Sequence, residues 1–167
     1  MSQQKLSEIF DKPNSGYAEF EAIKPRIRQD LEMLGDVIQQ IRPERVIELK
    51  ENDQKNFTLC DKPKGLKKLT DKAEYIRISF SDLYVNNKMI PNQLHSSFWT
   101  QGQNIIESGV NENVCDYDHF RLKFFENLTN SPFFKDIQER QLFKTLMKQK
   151  LSANLENATQ VPVRDIG

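Results

Sequence analysis

The chain has 167 residues, 24 basic and 24 acidic side chains, and a formal net charge of zero. This length fits one domain or two small ones, and the balanced charge excludes a strong field over the whole chain that would attract nucleic acid or an anionic membrane. The six glycines are too widely spaced to write a Gly-rich phosphate-binding loop.

The sequence contains no apolar run of the ~18–20 residues needed to span a bilayer, and its start does not resemble a secretory signal. We therefore expect a soluble, cytoplasmic protein without membrane contact. Residues 1–16 are predicted to form an arm, with a short helix over residues 1–10 and helix-breaking residues over 11–16. Residues 17–156 are predicted to form a single globular domain, and residues 157–167 a tail.

The strongest helical pattern lies between residues 17 and 41. Apolar side chains recur there three and four positions apart, interrupted at Lys24. Pro25 should kink or restart this helix because it lacks an amide donor. The members of this apolar stripe are Tyr17, Phe20, Ile27, Leu31, Leu34, Ile38 and Ile41.

The next segments favour β-structure. Residues 45–50 and 57–60 are short, are rich in β-branched or apolar residues, and flank a polar segment, which predicts a hairpin. A turn over residues 62–65 and one or two helical turns over 66–72 should follow. Residues 75–84 fit both a strand and a helix, and we predict a strand ending in a turn. Residues 86–92 are predicted to be a loop.

The last third of the sequence favours helices. We predict helices over residues 97–108, ending near Gly109, and over residues 113–130, with Tyr117, Phe120, Phe124 and Leu128 on its buried face. Ser131 should cap a final helix that reaches about residue 155, with Pro132 at its first position. The predicted fold is therefore α+β and mainly helical, with a long N-terminal helix and two C-terminal helices packed on a small antiparallel sheet.

Two surfaces are candidates for partner binding. The apolar stripe of residues 17–41 could form a seam with another protein chain, with burial against the chain's own C-terminal helices as the alternative. A basic segment over residues 62–77, interleaved with aromatic residues, suits nucleic-acid binding, with a solvated face as the alternative. Its candidate contacts are Lys64, Lys67, Lys68, Lys72 and Arg77.

Candidates for chemistry are incomplete. Cys115 and His119 lie one helical turn apart, which is half of a metal or thiol site. Glu48 and Lys50 have the spacing of an acid and a lysine in metal-dependent nucleases, but no second acid precedes them at a suitable turn. Trp99, the single tryptophan, is a core residue or an interface anchor.

No complete catalytic, cofactor or metal constellation can be written from these residues. The sequence therefore favours a non-catalytic protein that binds another protein through helical apolar faces as an adaptor, inhibitor or assembly subunit. A nucleic-acid-binding accessory protein is the first alternative, and a metal-dependent nuclease is the second.

Overall fold

The computed structural model describes the backbone of residues 2–52, 55–69, 71–100, 103–106, 112–113 and 116–166. Side-chain surroundings are described for residues 18–51, 55–68, 71–82, 86–89, 93–99 and 116–153. Within these ranges the chain forms helices on an antiparallel sheet, which confirms the predicted α+β class.

The first helix, α1, spans Ser2–Ile41. It continues through residues 11–16, where the sequence predicted a break, and through Pro25. Pro25 lies on the exposed side of the helix, where water can replace the missing amide donor. The apolar stripe on the opposite side faces the sheet, so burial of that side compensates for the proline.

The sheet is a meander in which each strand pairs with the next one along the chain. The order is β1 (Val46–Asn52), β2 (Asn56–Lys62), β3 (Glu74–Val85), β4 (Lys88–Thr100) and β5 (Gln103–Ile106). A short β6 (Glu112–Asn113) pairs with β4 beside Gln93 and Leu94. The predicted hairpin of β1 and β2 and the predicted strand at β3 are confirmed. A 3₁₀ turn at Gly65–Leu69 joins β2 to β3.

One face of the sheet, the inner face, packs against the helices. Alternate residues of each strand point to it, and register places Leu59 opposite Ile76 and Ile76 opposite Phe98. Phe20 of α1 stacks on Phe80 with ring centroids 4.6 Å apart. Such aromatic pairs contribute about 0.5–1.5 kcal/mol beyond the area that they bury.

The two C-terminal helices complete this layer. Helix α2 spans Tyr117–Thr129 and buries the four residues predicted for its inner side. Phe124 meets Phe98 of the sheet at 5.9 Å between ring centroids. Helix α3 spans Ile137–Ile166 and contacts α1 and α2.

The segment around β4 differs most from the prediction. Only Asn86 and Asn87 form the turn, both with positive φ, and the strand begins at Lys88. The register with β3 shifts beside Pro91, which is where a strand tolerates a residue without an amide donor. The predicted helix over residues 97–108 is wrong where this segment is described, because residues 97–100 pair with β3 and residues 103–106 form β5, which pairs with β4.

The start of α3 also differs from the prediction. Asp136, rather than Ser131, caps the helix by accepting a hydrogen bond from the Glu139 amide at 2.7 Å. Ser131 is buried in the preceding turn, where its hydroxyl donates to the Leu128 carbonyl at 2.7 Å. The serine thus closes the end of α2 instead of opening α3.

Candidate functional site

The apolar stripe of α1 lies in the chain's own core. Phe20, Ile27, Leu31, Leu34 and Ile38 are at most 1% exposed, and Ile41 packs against the same cluster. The side chain of Tyr17 lies outside the described residues. This burial is the outcome expected from intramolecular packing. The folded chain therefore does not offer these five side chains to a partner.

A buried ion network fixes the end of α1. Arg42 is 3% exposed, and its guanidinium donates to Asp61, to Glu74 at 2.7 Å, and to Glu139 at 2.5 Å. Arg45 binds the same Asp61 carboxylate. Burial alone would lower the pKa of Arg42, but the hydrogen bond to Glu139 and the nearby carboxylates outweigh it and raise that pKa.

These charges join separate parts of the fold. The carboxylates of the network are engaged by guanidinium groups, and its members come from four parts of the chain. The sequence offers no pattern that identifies the network, because Arg42 and Glu139 lie 97 positions apart.

A smaller polar cluster joins α1 to α2. Asp30 accepts hydrogen bonds from the Tyr117 hydroxyl at 2.6 Å and from Arg121 Nε at 2.8 Å. Burial and the Asp30 carboxylate raise the pKa of Tyr117, so its hydroxyl stays protonated and acts as a donor. The cluster satisfies polar groups inside the helical layer.

The basic segment lies at one end of the sheet. Lys64, Lys67, Lys68 and Lys72 are exposed along the connection between β2 and β3. Arg77 instead lies within β3, on the face opposite the inner face. The structure therefore keeps four of these side chains at the sheet end and places the fifth on the open sheet surface.

We call that open surface the outer sheet face. Register gives it two neighbouring rows of four residues. One row is Glu48, Cys60, Tyr75 and Trp99, and the other is Lys50, Thr58, Arg77 and Ser97. The two ionic residues of β1 are exposed, and the aromatic residues and Arg77 are half-buried.

The structure describes only some of the candidates for chemistry. Cys115 lies outside the described residues, and the exposed His119 has Asp116 as an i,i+3 neighbour at 3.8 Å. Glu48 and Lys50 share one face of β1, as predicted. Among the described residues, no group of three or more His, Cys, Asp or Glu side chains is placed to hold a metal ion.

An apolar groove lies between the two C-terminal helices, and we call it the α2–α3 groove. Its volume is about 300 Å³. On α2 it is lined by Leu122 and Phe125, and on α3 by Met147 and Leu151. Leu122 is 70% exposed and Leu142 of the neighbouring helical surface is 44% exposed. Sequence analysis placed no site here, because the groove depends on how two helices are set against each other.

The fold and these surfaces define an α+β protein with an open sheet face and a helical groove. No family model, no curated protein and no solved structure matches the chain. In the parts of the chain that are described, no helix is long and apolar enough to cross a membrane.

Proposed function

We propose that the protein acts without catalysis, by binding another protein through the α2–α3 groove as an adaptor, inhibitor or assembly subunit in the cytoplasm. The observation that carries the proposal is the exposure of Leu122 beside a groove lined by apolar side chains. Contiguous exposed apolar surface rimmed by polar residues is typical of interaction sites. The helical apolar face used for binding is thus that of α2 and α3, not the buried stripe of α1.

The groove fits an amphipathic helix of the partner. A helix can lie in a groove between two others with apolar side chains at i, i+3, i+4 and i+7. Lys144 and Lys148 lie one turn apart on the α3 side of the groove, and both are exposed. Glu126 lines the α2 side of the groove. We infer that the partner helix carries acidic residues with i,i+4 spacing on the side that faces α3, because these would pair with the two lysines and avoid Glu126.

The test compares two exposed leucines. Leu122→Glu places a charge in the groove, and Leu66→Glu makes the same change on the 3₁₀ turn, where Leu66 is 86% exposed. Both variants should fold, since neither side chain is buried. Proteins captured from lysate by the wild-type chain are purified, and their dissociation constants are measured by calorimetry for all three chains.

We expect Leu122→Glu to weaken binding at least about tenfold, because a leucine buried on binding contributes about 1.5–3 kcal/mol. Leu66→Glu should leave binding unchanged. Equal affinities of both variants would overturn the proposal. Light scattering tests whether the occupant is a second copy of the chain. Dimers that form with rising concentration in the wild type and are lost in Leu122→Glu would show that a second copy occupies the groove, and this would contradict a separate partner.

A further inference from the structure

The outer sheet face combines aromatic rings with a fixed guanidinium. Tyr75 and Trp99 stack across β3 and β4 with ring centroids 5.3 Å apart. The Arg77 guanidinium lies 4.7 Å from the Trp99 ring centroid, and its Nε donates to Thr58 Oγ1 at 3.1 Å. These contacts hold one cation and two aromatic side chains, each half-buried, in a defined arrangement on the outer sheet face.

The same face carries positive charge. Lys50 and Arg77 belong to one row, and Lys62 lies at the end of β2 next to the row that contains Tyr75. The exposed Lys64, Lys67 and Lys68 continue this charge along the adjoining connection. Glu48 is the acidic residue of the two rows, so the surface is locally cationic although the whole chain is neutral.

We propose that the outer sheet face binds single-stranded nucleic acid, with an unpaired base stacked at Trp99 and backbone phosphates bound by Arg77 and Lys50. Aromatic rings with flanking cations are the elements that sequence-tolerant binders of single strands use. A duplex suits this face less well, because its bases are already stacked on one another. The site is separate from the α2–α3 groove and does not depend on the protein-binding role.

Trp99 reports on this site directly, because it is the single tryptophan of the chain. The probes are unlabelled oligothymidine and oligouridine of about 16 nucleotides, which is the upper end of the site size of one OB-fold domain that binds single strands. Titration at low ionic strength should quench Trp99 fluorescence with both probes. The logarithm of the binding constant should fall with the logarithm of salt concentration by about 0.7 per phosphate contact.

Two substitutions test the assigned contacts. Arg77→Gln should reduce the salt slope by about 0.7, the value of one phosphate contact. Arg28→Gln is the matched control, because Arg28 is an exposed arginine of α1 whose partner is Glu51. It removes the same charge and should leave both slope and affinity unchanged. Trp99→Leu, followed by anisotropy with fluorescein-labelled oligothymidine, should weaken binding about 5-fold or more, as expected for one lost base stack.

The outcomes separate the proposal from its alternatives. Absence of binding at low salt would overturn it, and so would binding without Trp99 quenching, which would place the nucleic acid elsewhere. Equal affinity for a duplex of the same length would contradict base stacking. Equal quenching by heparin, which has no bases, would also overturn the proposal and would indicate a site for polyanions in general. Circular dichroism spectra of each variant confirm that any loss of binding arises in a folded chain.

Discussion

Replacing Arg42 tests whether the buried ion network stabilises the fold. Arg42→Met removes the guanidinium that donates to Glu74 at 2.7 Å and to Glu139 at 2.5 Å, while Asp61 keeps its contact with Arg45. The carboxylates of Glu74 and Glu139, which lose this guanidinium in the variant, are only 11% and 16% exposed. Breaking a buried pair by removing one partner costs about 3–5 kcal/mol. We expect a loss of this size in the free energy of unfolding, measured by urea denaturation with circular dichroism.

The matched control is Arg28→Met, since the Arg28 and Glu51 side chains are 41% and 39% exposed. Exposed pairs contribute about 0.2–1 kcal/mol, so this variant should remain close to the wild type. Adding Glu139→Gln to Arg42→Met removes one of the two buried carboxylates that have lost Arg42, and it should recover about 1 kcal/mol or more of the lost unfolding free energy. The reasoning is refuted if Arg42→Met costs no more than Arg28→Met.

Three further predictions concern single buried or half-buried groups. Leu34→Asp places a charge at a site with 0% exposure, so it should lower the free energy of unfolding by several kcal/mol and lower the melting temperature. A variant that stays folded but no longer binds a partner would instead indicate that the stripe forms an intermolecular seam. Burial and the Arg77 charge lower the pKa of His95, so its contribution to stability is present above the unfolded pKa of about 6.5 and is lost as pH falls through the folded pKa. His95→Gln should therefore flatten the pH dependence of the unfolding free energy across this acidic range, measured by urea denaturation at several pH values. Cys60 is 4% exposed, and its burial also raises the pKa of its thiol, so it should react slowly with iodoacetamide. Peptide mapping should find Cys60 unmodified in the native chain and modified in urea. Rapid alkylation of the native chain would contradict the packing of β2.

The parts of the fold that the sequence predicts are those whose pattern is local. The stripe from Phe20 to Ile38 repeats with helical spacing, and the alternation of Ile76, Ile78 and Phe80 is confirmed as a strand. Phe98 and Trp99 are adjacent apolar residues that fit either structure. The pairing of β4 with β3, which points Phe98 inward and Trp99 outward, decides between them and is not visible in one sequence.

The candidate sites were harder to predict for the same reason. The exposed lysines of the basic segment follow from composition, but the contact of Arg77 with Trp99 joins two strands whose register only the fold supplies. The α2–α3 groove is formed by side chains of separate helices, such as Phe125 and Met147. Neither helix alone has a pattern that distinguishes a groove from ordinary core packing.

The meander topology has a consequence for how the chain folds during synthesis. Along the path from β1 to β5, each ladder joins two strands that are neighbours in sequence, so these ladders form from local contacts with small loop-closure costs. All five strands and α1 have been made before any residue of α2 leaves the ribosome. Glu139 follows Arg42 only after 96 intervening residues, so the first turn of α3 supplies the last carboxylate of the network, after Asp61 and Glu74. A nascent chain that ends before Ile137 would hold its inner sheet face against α1 but keep Arg42 without its final carboxylate partner.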